Sequence, residues 1–326
     1  MSRRRFTAAL ALAAVAPRLT HGQSPGRQYR VGWIGTSAVT HGEPYSLAFV
    51  ARLAELGFVE GRNLVLDRRH ADNRVENFPQ MAAAMAKTRY DALFTGGPEA
   101  TLAAATKASH EAPIVVVAVD FDPVATGDVA TLARPGGRVT GVSAQQSILS
   151  AKRLELLKEM LPKAAKVGVL TNEQTQGQLS VVQGTARRMG LEVHVADLKR
   201  TPFDLPAAFA GMVREKCDGV LVLGSALFVP LRRELVGLAI KSRLPGMFHQ
   251  SQWVELGGLV SYGFNFVSMW RRGAEMLAAV LRGAKPADMP MEVPATFELA
   301  LNLATARKLG VAVPQSLLVR ADRVIE

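Results

Sequence analysis

The feature that most constrains the fold is a regular alternation of short apolar runs with amphipathic stretches about ten to fifteen residues long. Such alternation is typical of βαβ units and predicts a parallel sheet covered by helices. Apolar runs at residues 30–34, 64–70, 92–95 and 114–119 predict the strands of one lobe, and a similar series at 167–170, 191–198, 220–223 and 245–248 predicts a second. We therefore expect an α/β chain with two doubly wound parallel-sheet lobes.

Length and charge limit the classes of function. The 326 residues are long for one domain, and 48% hydrophobic with 21% charged residues exclude a disordered chain. Four arginines in a predicted leader account for part of the formal charge of +11, so the remaining chain carries +7. The other basic residues form isolated pairs such as Arg187-Arg188 rather than a patch. No nucleic-acid partner is predicted.

Enzyme chemistry finds little support in the sequence. Phosphate-loop, dinucleotide-binding and nucleophile-elbow motifs are all missing, and the six histidines are scattered. Cys217 is the only cysteine, which excludes an intramolecular disulfide and a thiolate metal cluster. We expect a buried, inert thiol there. No catalytic residue, metal site or cofactor is predicted.

The first 22 residues read as a cleavable signal peptide. A basic start precedes the apolar segment at residues 6–16, which is too short to span a bilayer, and a short polar tail follows. The start Ser2-Arg3-Arg4-Arg5-Phe6-Thr7 also fits the twin-arginine export pattern, so both the general and the twin-arginine route stay open. We expect cleavage before Gln23, a mature protein in the periplasm, and no intrinsic membrane span after leader removal.

The segment at residues 114–143 predicts a ligand-binding edge. Its buried strand ends at Asp120-Phe121-Asp122-Pro123, because Pro123 cannot donate a ladder hydrogen bond and keeps its predecessor extended. A helix at about 124–133, a Pro-Gly-Gly turn and a strand at 139–142 are expected to follow. In open α/β sheets, ligands bind at the carboxyl ends of the strands.

Residues 122–143, DPVATGDVATLARPGGRVTGVS, resemble the signature of a family of ABC-transporter substrate-binding proteins whose better known members bind tryptophan or tyrosine. Stretches at 56–63, 257–263 and 318–326 are also similar to that family. The resemblance implies a type I periplasmic-binding fold, in which the chain crosses three times between the lobes in a multi-crossing hinge. We place the crossings near Val142, Gly263 and Pro294. The N-terminal lobe then takes residues 28–142 and about 264–294, and the C-terminal lobe takes 143–263 and about 295–326.

The resemblance implies a periplasmic receptor that closes on a small molecule, an amino acid or a related carboxylate. Such a receptor acts as a monomer and delivers its ligand to an ABC permease in the inner membrane. A second interpretation is an extracytoplasmic ligand-sensing module of a signalling system with the same fold. A third, an enzyme of this bilobal shape, would need a reactive group that the sequence does not offer.

Small polar residues follow the predicted strands and suggest a trap for a zwitterion. Hydroxyls and backbone N–H groups suit a carboxylate, and the side chain of Asp122 or Glu173 suits an ammonium group. The same residue types also serve as ordinary N-caps and turns, so each has a structural alternative. The predicted ligand-binding residues are Thr36, Ser37, Gly96, Gly97, Asp122, Asn172, Ser225 and Tyr262.

An apolar ligand side chain would need an aromatic wall, for which Phe121, Phe228 and Trp253 are candidates, with Tyr262 beside them. The two histidines expected near the cleft are His41 and His249. At residues 248–253 the chain departs from the usual family pattern, which more often has an aromatic residue, a glycine and a charged residue. Both an aromatic amino acid and a more polar ligand therefore stay open.

Overall fold

The computed structural model describes residues 27–36, 38, 42–144 and 146–326, so the predicted signal peptide at 1–22 lies outside the described residues. The strands are β1 Tyr29–Gly35, β2 Leu64–His70, β3 Ala92–Gly97, β4 Ile114–Ala118, β5 Val139–Ser143, β6 Lys166–Asn172, β7 Glu192–Leu198, β8 Gly219–Val222, β9 Gly246–Phe248, β10 Val260–Phe264, β11 Phe297–Asn302 and β12 Arg323–Ile325.

The α-helices are α1 Pro44–Glu55, α2 Phe78–Met85, α3 Glu99–Ala108, α4 Gln146–Met160, α5 Gln176–Arg188, α6 Leu205–Arg214, α7 Arg232–Lys241, α8 Ser251–Glu255, α9 Phe266–Leu281, α10 Leu303–Leu309 and α11 Gln315–Arg320. Short 3-10 helices lie at Val75–Asn77, Glu173–Thr175, Ala226–Leu231 and Pro286–Asp288. None of the described helices is long and apolar enough to cross a membrane.

The first lobe is built on a five-stranded parallel sheet in the order β2-β1-β3-β4-β5. Every residue of β4 is buried, as expected for a strand with helices on both faces of its sheet. One face packs against α1 and α9, where Trp33, Phe49, Phe94 and Trp270 form an aromatic cluster. The other face packs against α2 and α3.

The second lobe is built on a seven-stranded sheet in the order β12-β11-β10-β9-β8-β6-β7. Its pairs are parallel except for β10 with β11. Two apolar clusters cover its faces, one around α4 and α5 and one around α6 and α7. The predicted α/β class with two doubly wound parallel-dominated lobes is confirmed.

The chain passes between the sheets where β5 leads to α4, where β10 leads to α9, and in the stretch before β11. That last stretch lies beside β5, since the Ser143 N–H donates to the Glu292 carbonyl and the Glu292 N–H donates to the Gly141 carbonyl. Two of the three connecting segments therefore run side by side. The residue limits of the lobes given above stay a prediction.

One predicted element is wrong. Residues 119–138 contain turns and bends instead of the helix expected at about 124–133. The Asp122 side chain accepts the Val124 N–H, which forms a tight local turn, and Gly127 takes a left-handed φ of 80° that interrupts helical geometry. The apolar residues of this stretch are too few to outweigh these local turns.

Candidate functional site

The carboxyl ends of strands from both lobes meet at one interface. Asp120 follows β4 in the first lobe, and Ser225 and Ala226 follow β8 in the second. The Ala226 N–H donates to Asp120 Oδ2 at 3.2 Å, so a hydrogen bond joins the lobes directly. The two lobes therefore contact each other directly at this point.

The Asp120 carboxyl is the buried acid of this interface, with 8% of the residue exposed. Burial raises the pKa of Asp120 to about 7, although the hydrogen bond from the Ala226 N–H and the nearby Asp120 N–H and Ser225 hydroxyl lower it in part. The nearby Glu99 carboxylate adds to the rise in the pKa of Asp120. Asp120 Oδ1 is buried and has no hydrogen-bond partner among the described residues.

Asn172 and Ser225, both predicted site residues, lie next to Asp120 and contact each other. Asn172 Nδ2 donates to Ser225 Oγ at 2.9 Å, and the same Oγ accepts the Leu227 N–H at 3.2 Å. Asn172 Oδ1 accepts the Gln174 N–H at 3.1 Å. The Asn172 side chain thus caps a short helix. The Ser225 oxygen accepts two hydrogen bonds, so its own proton remains available to Asp120.

A small cavity lies between the lobes beside this contact and has a volume of about 20 Å³. Its lining consists of Tyr45, Gly96, Gly97, Val119, Ala226, Val229, Gln250, Phe266 and Trp270. The aromatic rings come from the first lobe, at the start of α1 and in the first two turns of α9. Because about 20 Å³ holds roughly one water molecule, the lobes must separate to admit an amino acid.

Gly96 explains how an indole ring reaches the cavity. A Cβ at this position would lie 2.6 Å from the Trp270 ring, which is closer than carbon atoms can approach. The missing side chain therefore lets the Trp270 ring lie against the end of β3. The predicted residues Gly96 and Gly97 both line the cavity, and Thr36 lies beside Gly97.

Several buried polar atoms at this interface have no partner among the described residues. They are Thr36 Oγ1, Asp120 Oδ1, Gln250 Nε2 and Trp270 Nε1. Each unpartnered buried polar group costs about 1–3 kcal/mol. Two of these side chains line the cavity and the other two adjoin its lining residues. The site therefore combines apolar rings with unused donors and one unused carboxyl oxygen.

A second polar cluster lies under the carboxyl ends of β9 and β10. Arg153 on α4 is fully buried; its Nε donates to the Tyr262 carbonyl at 2.6 Å and its Nη2 donates to Gln146 Oε1 at 2.7 Å. Burial lowers the pKa of Arg153 to about 9. Burial, with a smaller effect from Arg153, lowers the pKa of His249 well below its usual value, so this imidazole is neutral.

An ion pair also joins the lobes. Arg232, the first residue of α7, lies 2.8 Å from Glu43, which precedes α1. The Glu43 side chain is 5% exposed, so the pair is largely shielded from solvent. Burial, followed by the charge of Glu43, raises the pKa of the neighbouring Tyr45. The phenol therefore stays neutral.

The remaining predicted binding residues lie elsewhere. Asp122 is exposed, and its Oδ1 accepts the Val124 N–H at 2.9 Å, as in an ordinary turn. Tyr262 stacks on Phe297 at 5.8 Å between ring centres, and its carbonyl holds Arg153. Ser37 and the expected cleft histidine at position 41 lie outside the described residues.

The predicted aromatic residues lie in the cores of the lobes. Phe228 and Trp253 are fully buried in the second-lobe core, and Phe121 packs against that of the first. The rings that do line the cavity, from Tyr45, Phe266 and Trp270, were not predicted as site residues. The sequence signal that could have identified these rings is their position in the first turns of helices that come next after a β-strand in the chain.

A larger groove of about 570 Å³ lies at the outer margin of the interface. The first lobe contributes residues 72–74 and 76 to its lining, and the second contributes loops around Phe203 and Leu227. Its rim carries the exposed charged residues Arg74, Glu76 and Glu234. Within the described part of the chain, no group of three or more histidine, cysteine or acidic residues could hold a metal ion.

Comparison with known proteins agrees with this architecture. The model of the family described as ABC transporter substrate binding protein matches residues 48–325. A tyrosine-binding protein of Clostridioides difficile (strain R20291) is 28% identical over 265 residues, which cover 80% of this chain and 75% of that protein.

Solved structures give the same result. A conserved domain protein from Vibrio cholerae O1 biovar El Tor has a TM-score of 0.83 at 25% identity, covering 91% of this chain and 100% of that one. An ABC domain from Streptococcus pneumoniae in complex with L-Trp shares the fold, with a TM-score of 0.81 at 23% identity and the same coverage. A ligand-free, open substrate-binding protein with adhesive properties from Clostridium difficile has a TM-score of 0.65 at 25% identity, covering 91% and 99% of the two chains.

Proposed function

The chain belongs to the family of ABC transporter substrate-binding proteins, and from this premise we propose that it is a periplasmic receptor for an amino acid with an apolar, in the first place aromatic, side chain. Substrate-binding proteins of ABC transporters work outside the cytoplasm and capture small molecules. The aromatic side chain is the finer part of the proposal, and it draws support from the tyrosine-binding relative.

One observation carries the ligand class: rings and unused polar atoms meet around one interlobe cavity. Tyr45, Phe266 and Trp270 can pack against an aromatic or large aliphatic side chain, which adds about 0.5–1.5 kcal/mol beyond burial for an aromatic pair. Thr36 Oγ1, Gln250 Nε2 and Trp270 Nε1 can donate to a carboxylate. A zwitterion with an apolar side chain uses both kinds of surface.

Hinge closure is the proposed mechanism of capture. The ligand enters while the lobes are apart, and contacts from both lobes then select the closed form. The hydrogen bond from Ala226 to Asp120 and the ion pair between Arg232 and Glu43 belong to that closed form. The lower TM-score of the open, ligand-free Clostridium difficile protein supports the same interpretation.

The proposal includes a route and a partner. Residues 1–22 direct export and are removed, and the mature monomer presents its ligand to an ABC permease in the inner membrane. The predicted lobe limits, with crossings near Val142, Gly263 and Pro294, define the two bodies that move.

Thermal melting of the mature chain, residues 23–326, tests the proposal. The panel contains L-tyrosine, L-tryptophan, L-phenylalanine, L-leucine and L-glutamate, each in large excess. A ligand at about a hundred times its Kd stabilises the protein by about 2.7 kcal/mol, which raises Tm by several degrees. We expect the aromatic or large apolar amino acids to raise Tm and L-glutamate to leave it unchanged.

A control variant separates cleft binding from a general solvent effect. Phe266→Ser removes one ring of the cavity wall and should abolish the shift, whereas Val319→Ser changes an exposed side chain on α11 and should preserve it. If no amino acid of the panel raises Tm, the proposed ligand class is wrong. If only L-glutamate does, the receptor is selective for polar ligands instead.

A further inference from the structure

Asp120 is a buried acid with one bonded and one unbonded oxygen. Oδ2 accepts the Ala226 N–H at 3.2 Å, whereas Oδ1 has no partner in the described part of the chain. None of the largest influences on its ionisation comes from a lysine or an arginine. A buried carboxyl normally pairs with a cation or accepts hydrogen bonds at both oxygens. The hydrogen bonding of Asp120 is therefore incomplete.

The neighbours of Asp120 place it at the interlobe cavity. Val119, the preceding residue, and Ala226, its hydrogen-bond donor, both line that cavity. Ser225 adds its hydroxyl from the second lobe. The Asp120 carboxyl therefore adjoins the space that the aromatic rings line, although Asp120 is not itself a lining residue.

The other acids near the interface are already engaged or exposed. Glu43 is paired with Arg232, and Asp122 is exposed with Oδ1 bonded to the Val124 N–H. Glu173 is exposed at the outer rim. Asp120 alone among these acids combines burial with an unused oxygen.

We propose that Asp120 accepts the ammonium group of the bound ligand and thereby makes the receptor selective for amines over the corresponding deaminated acids. This inference rests on the proposed function and identifies the residue that recognises the ammonium group of the ligand. An ammonium group supplies the charge-assisted hydrogen bond that Oδ1 lacks. Because Ala226 holds Oδ2 from the opposite lobe, the ammonium contact and the closed form stabilise each other.

The ionisation of Asp120 gives a second, independent consequence. Its pKa of about 7 in the closed form means that a proton must leave before an ammonium group can bind. Because only the closed fraction of the unliganded protein has this raised pKa, affinity for an amine should rise with pH up to neutrality, by at most about tenfold per pH unit, and level off above it. The charged group that acts on Asp120 is Glu99, at the start of α3.

The test compares amine and deaminated ligands by isothermal titration. The probes are L-tyrosine, L-tryptophan and L-leucine, each with its deaminated acid, for instance 3-(4-hydroxyphenyl)propionate for L-tyrosine. The proteins are wild type, Asp120→Asn and Asp122→Asn. The Asp120→Asn variant keeps an oxygen for the Ala226 N–H but carries no charge there, and position 122 is the matched control because its carboxyl is exposed.

In wild type and Asp122→Asn, we expect the amine to bind at least about tenfold more tightly than the deaminated acid. In Asp120→Asn the preference should fall to within about threefold, with an unliganded Tm no lower than that of wild type. Wild-type affinity for the amine should also rise between pH 5.5 and 7.5, while affinity for the deaminated acid should not.

Two results overturn the inference while the proposed receptor stands: an unchanged preference in Asp120→Asn, or deaminated acids that bind wild type as tightly as amines do. If neither amines nor deaminated acids bind wild type, the proposed ligand class fails, and the inference fails with it. If Asp120→Asn does not fold, the wild-type pH series decides, because an affinity for the amine that is flat across neutrality contradicts the role of Asp120.

Discussion

The raised pKa of Asp120 makes folding stability depend on pH in a defined direction. In the unfolded chain this carboxyl loses its proton near its ordinary pKa of about 4, whereas in the folded protein it holds the proton up to about pH 7. Below about pH 4 both states are protonated, and the contribution of Asp120 to stability is fully present. It is lost progressively as pH rises from about 4 to about 7.

Asp120→Asn should therefore gain stability relative to wild type as pH rises through this window. Each unit of separation between the two pKa values corresponds to about 1.4 kcal/mol. Urea unfolding at pH 4.5 and pH 7.5 measures the difference, and Asp122→Asn, with its exposed carboxyl, should follow wild type. A constant difference between Asp120→Asn and wild type across the window would contradict the burial of Asp120.

Gly96 offers a second prediction at a single position. Alanine there would place Cβ 2.6 Å from the Trp270 ring, which cannot move freely because it packs against Trp33 and Phe94. Gly96→Ala should lower the free energy of unfolding by about 1–3 kcal/mol, as overpacking usually does.

Gly237→Ala is the matched control, since this glycine lies within α7 with open space around it. In an exposed helix interior, alanine should instead stabilise by about 0.5–1 kcal/mol. Thermal or urea unfolding of both variants measures the two changes. The same change in both variants, or no loss in Gly96→Ala, would show that Trp270 does not lie against β3.

Individual site residues were harder to predict than strand ends. Two aspartates follow β4, and Asp122 was the one predicted to bind ligand, because its position and its place in the family signature coincide. The structure turns Asp122 outward, because its carboxyl closes a local turn, while Asp120 reaches Ser225 and Ala226 from the other lobe. A contact between residues 106 positions apart leaves no local pattern in the sequence.

At the scale of elements, the ion pair between Glu43 and Arg232 ties α1 to α7 across the cleft. Its loss should weaken the closed form relative to the open one. Because Glu43 is nearly buried, a variant that removes only Arg232 leaves an uncompensated charge in the closed form, which is costly. Opening of the liganded protein then becomes easier.

Arg232→Met should therefore raise koff for L-tyrosine about tenfold, which corresponds to about 1.4 kcal/mol. Stopped-flow fluorescence measures the rate. Arg271→Met is the control, since it breaks a pair with Glu55 that lies wholly within the first lobe, between α9 and α1. The same koff in both variants would show that the Arg232 pair does not hold the lobes together.

The elements themselves were largely predictable from periodicity. Continuous β-branched runs such as β4, and helices such as α9 with one apolar face, have few alternatives in an α/β protein. The helix expected at about 124–133 failed because side chain–backbone hydrogen bonds at Asp122 and a left-handed Gly127 outweigh a weak apolar pattern. The rings of Tyr45, Phe266 and Trp270 could not be told from core residues, because core and cavity wall use the same faces of α1 and α9.

At the scale of the whole molecule, we expect closure of the lobes without a ligand to be unfavourable. The closed interface buries Thr36 Oγ1, Asp120 Oδ1, Gln250 Nε2 and Trp270 Nε1 with no partner among the described residues. At about 1–3 kcal/mol each, these groups together outweigh one interlobe hydrogen bond and one ion pair of ordinary strength. A ligand that satisfies them removes this cost and fills the space between the rings.

The mature chain without ligand should therefore adopt, on average, a more open form than this closed structure, and ligand should close it. Small-angle X-ray scattering should give a radius of gyration for the unliganded chain that exceeds the value calculated for this closed arrangement, and saturation with L-tyrosine should reduce it to that value.

Asp120→Asn should respond less to L-tyrosine, because it lacks the negative charge that stabilises the closed form around an ammonium group. Phe266→Ser, without part of the wall, should stay open. A radius of gyration that already matches the closed form before ligand is added would mean that the unpartnered groups cost less than the interlobe contacts contribute, and that closure does not report binding.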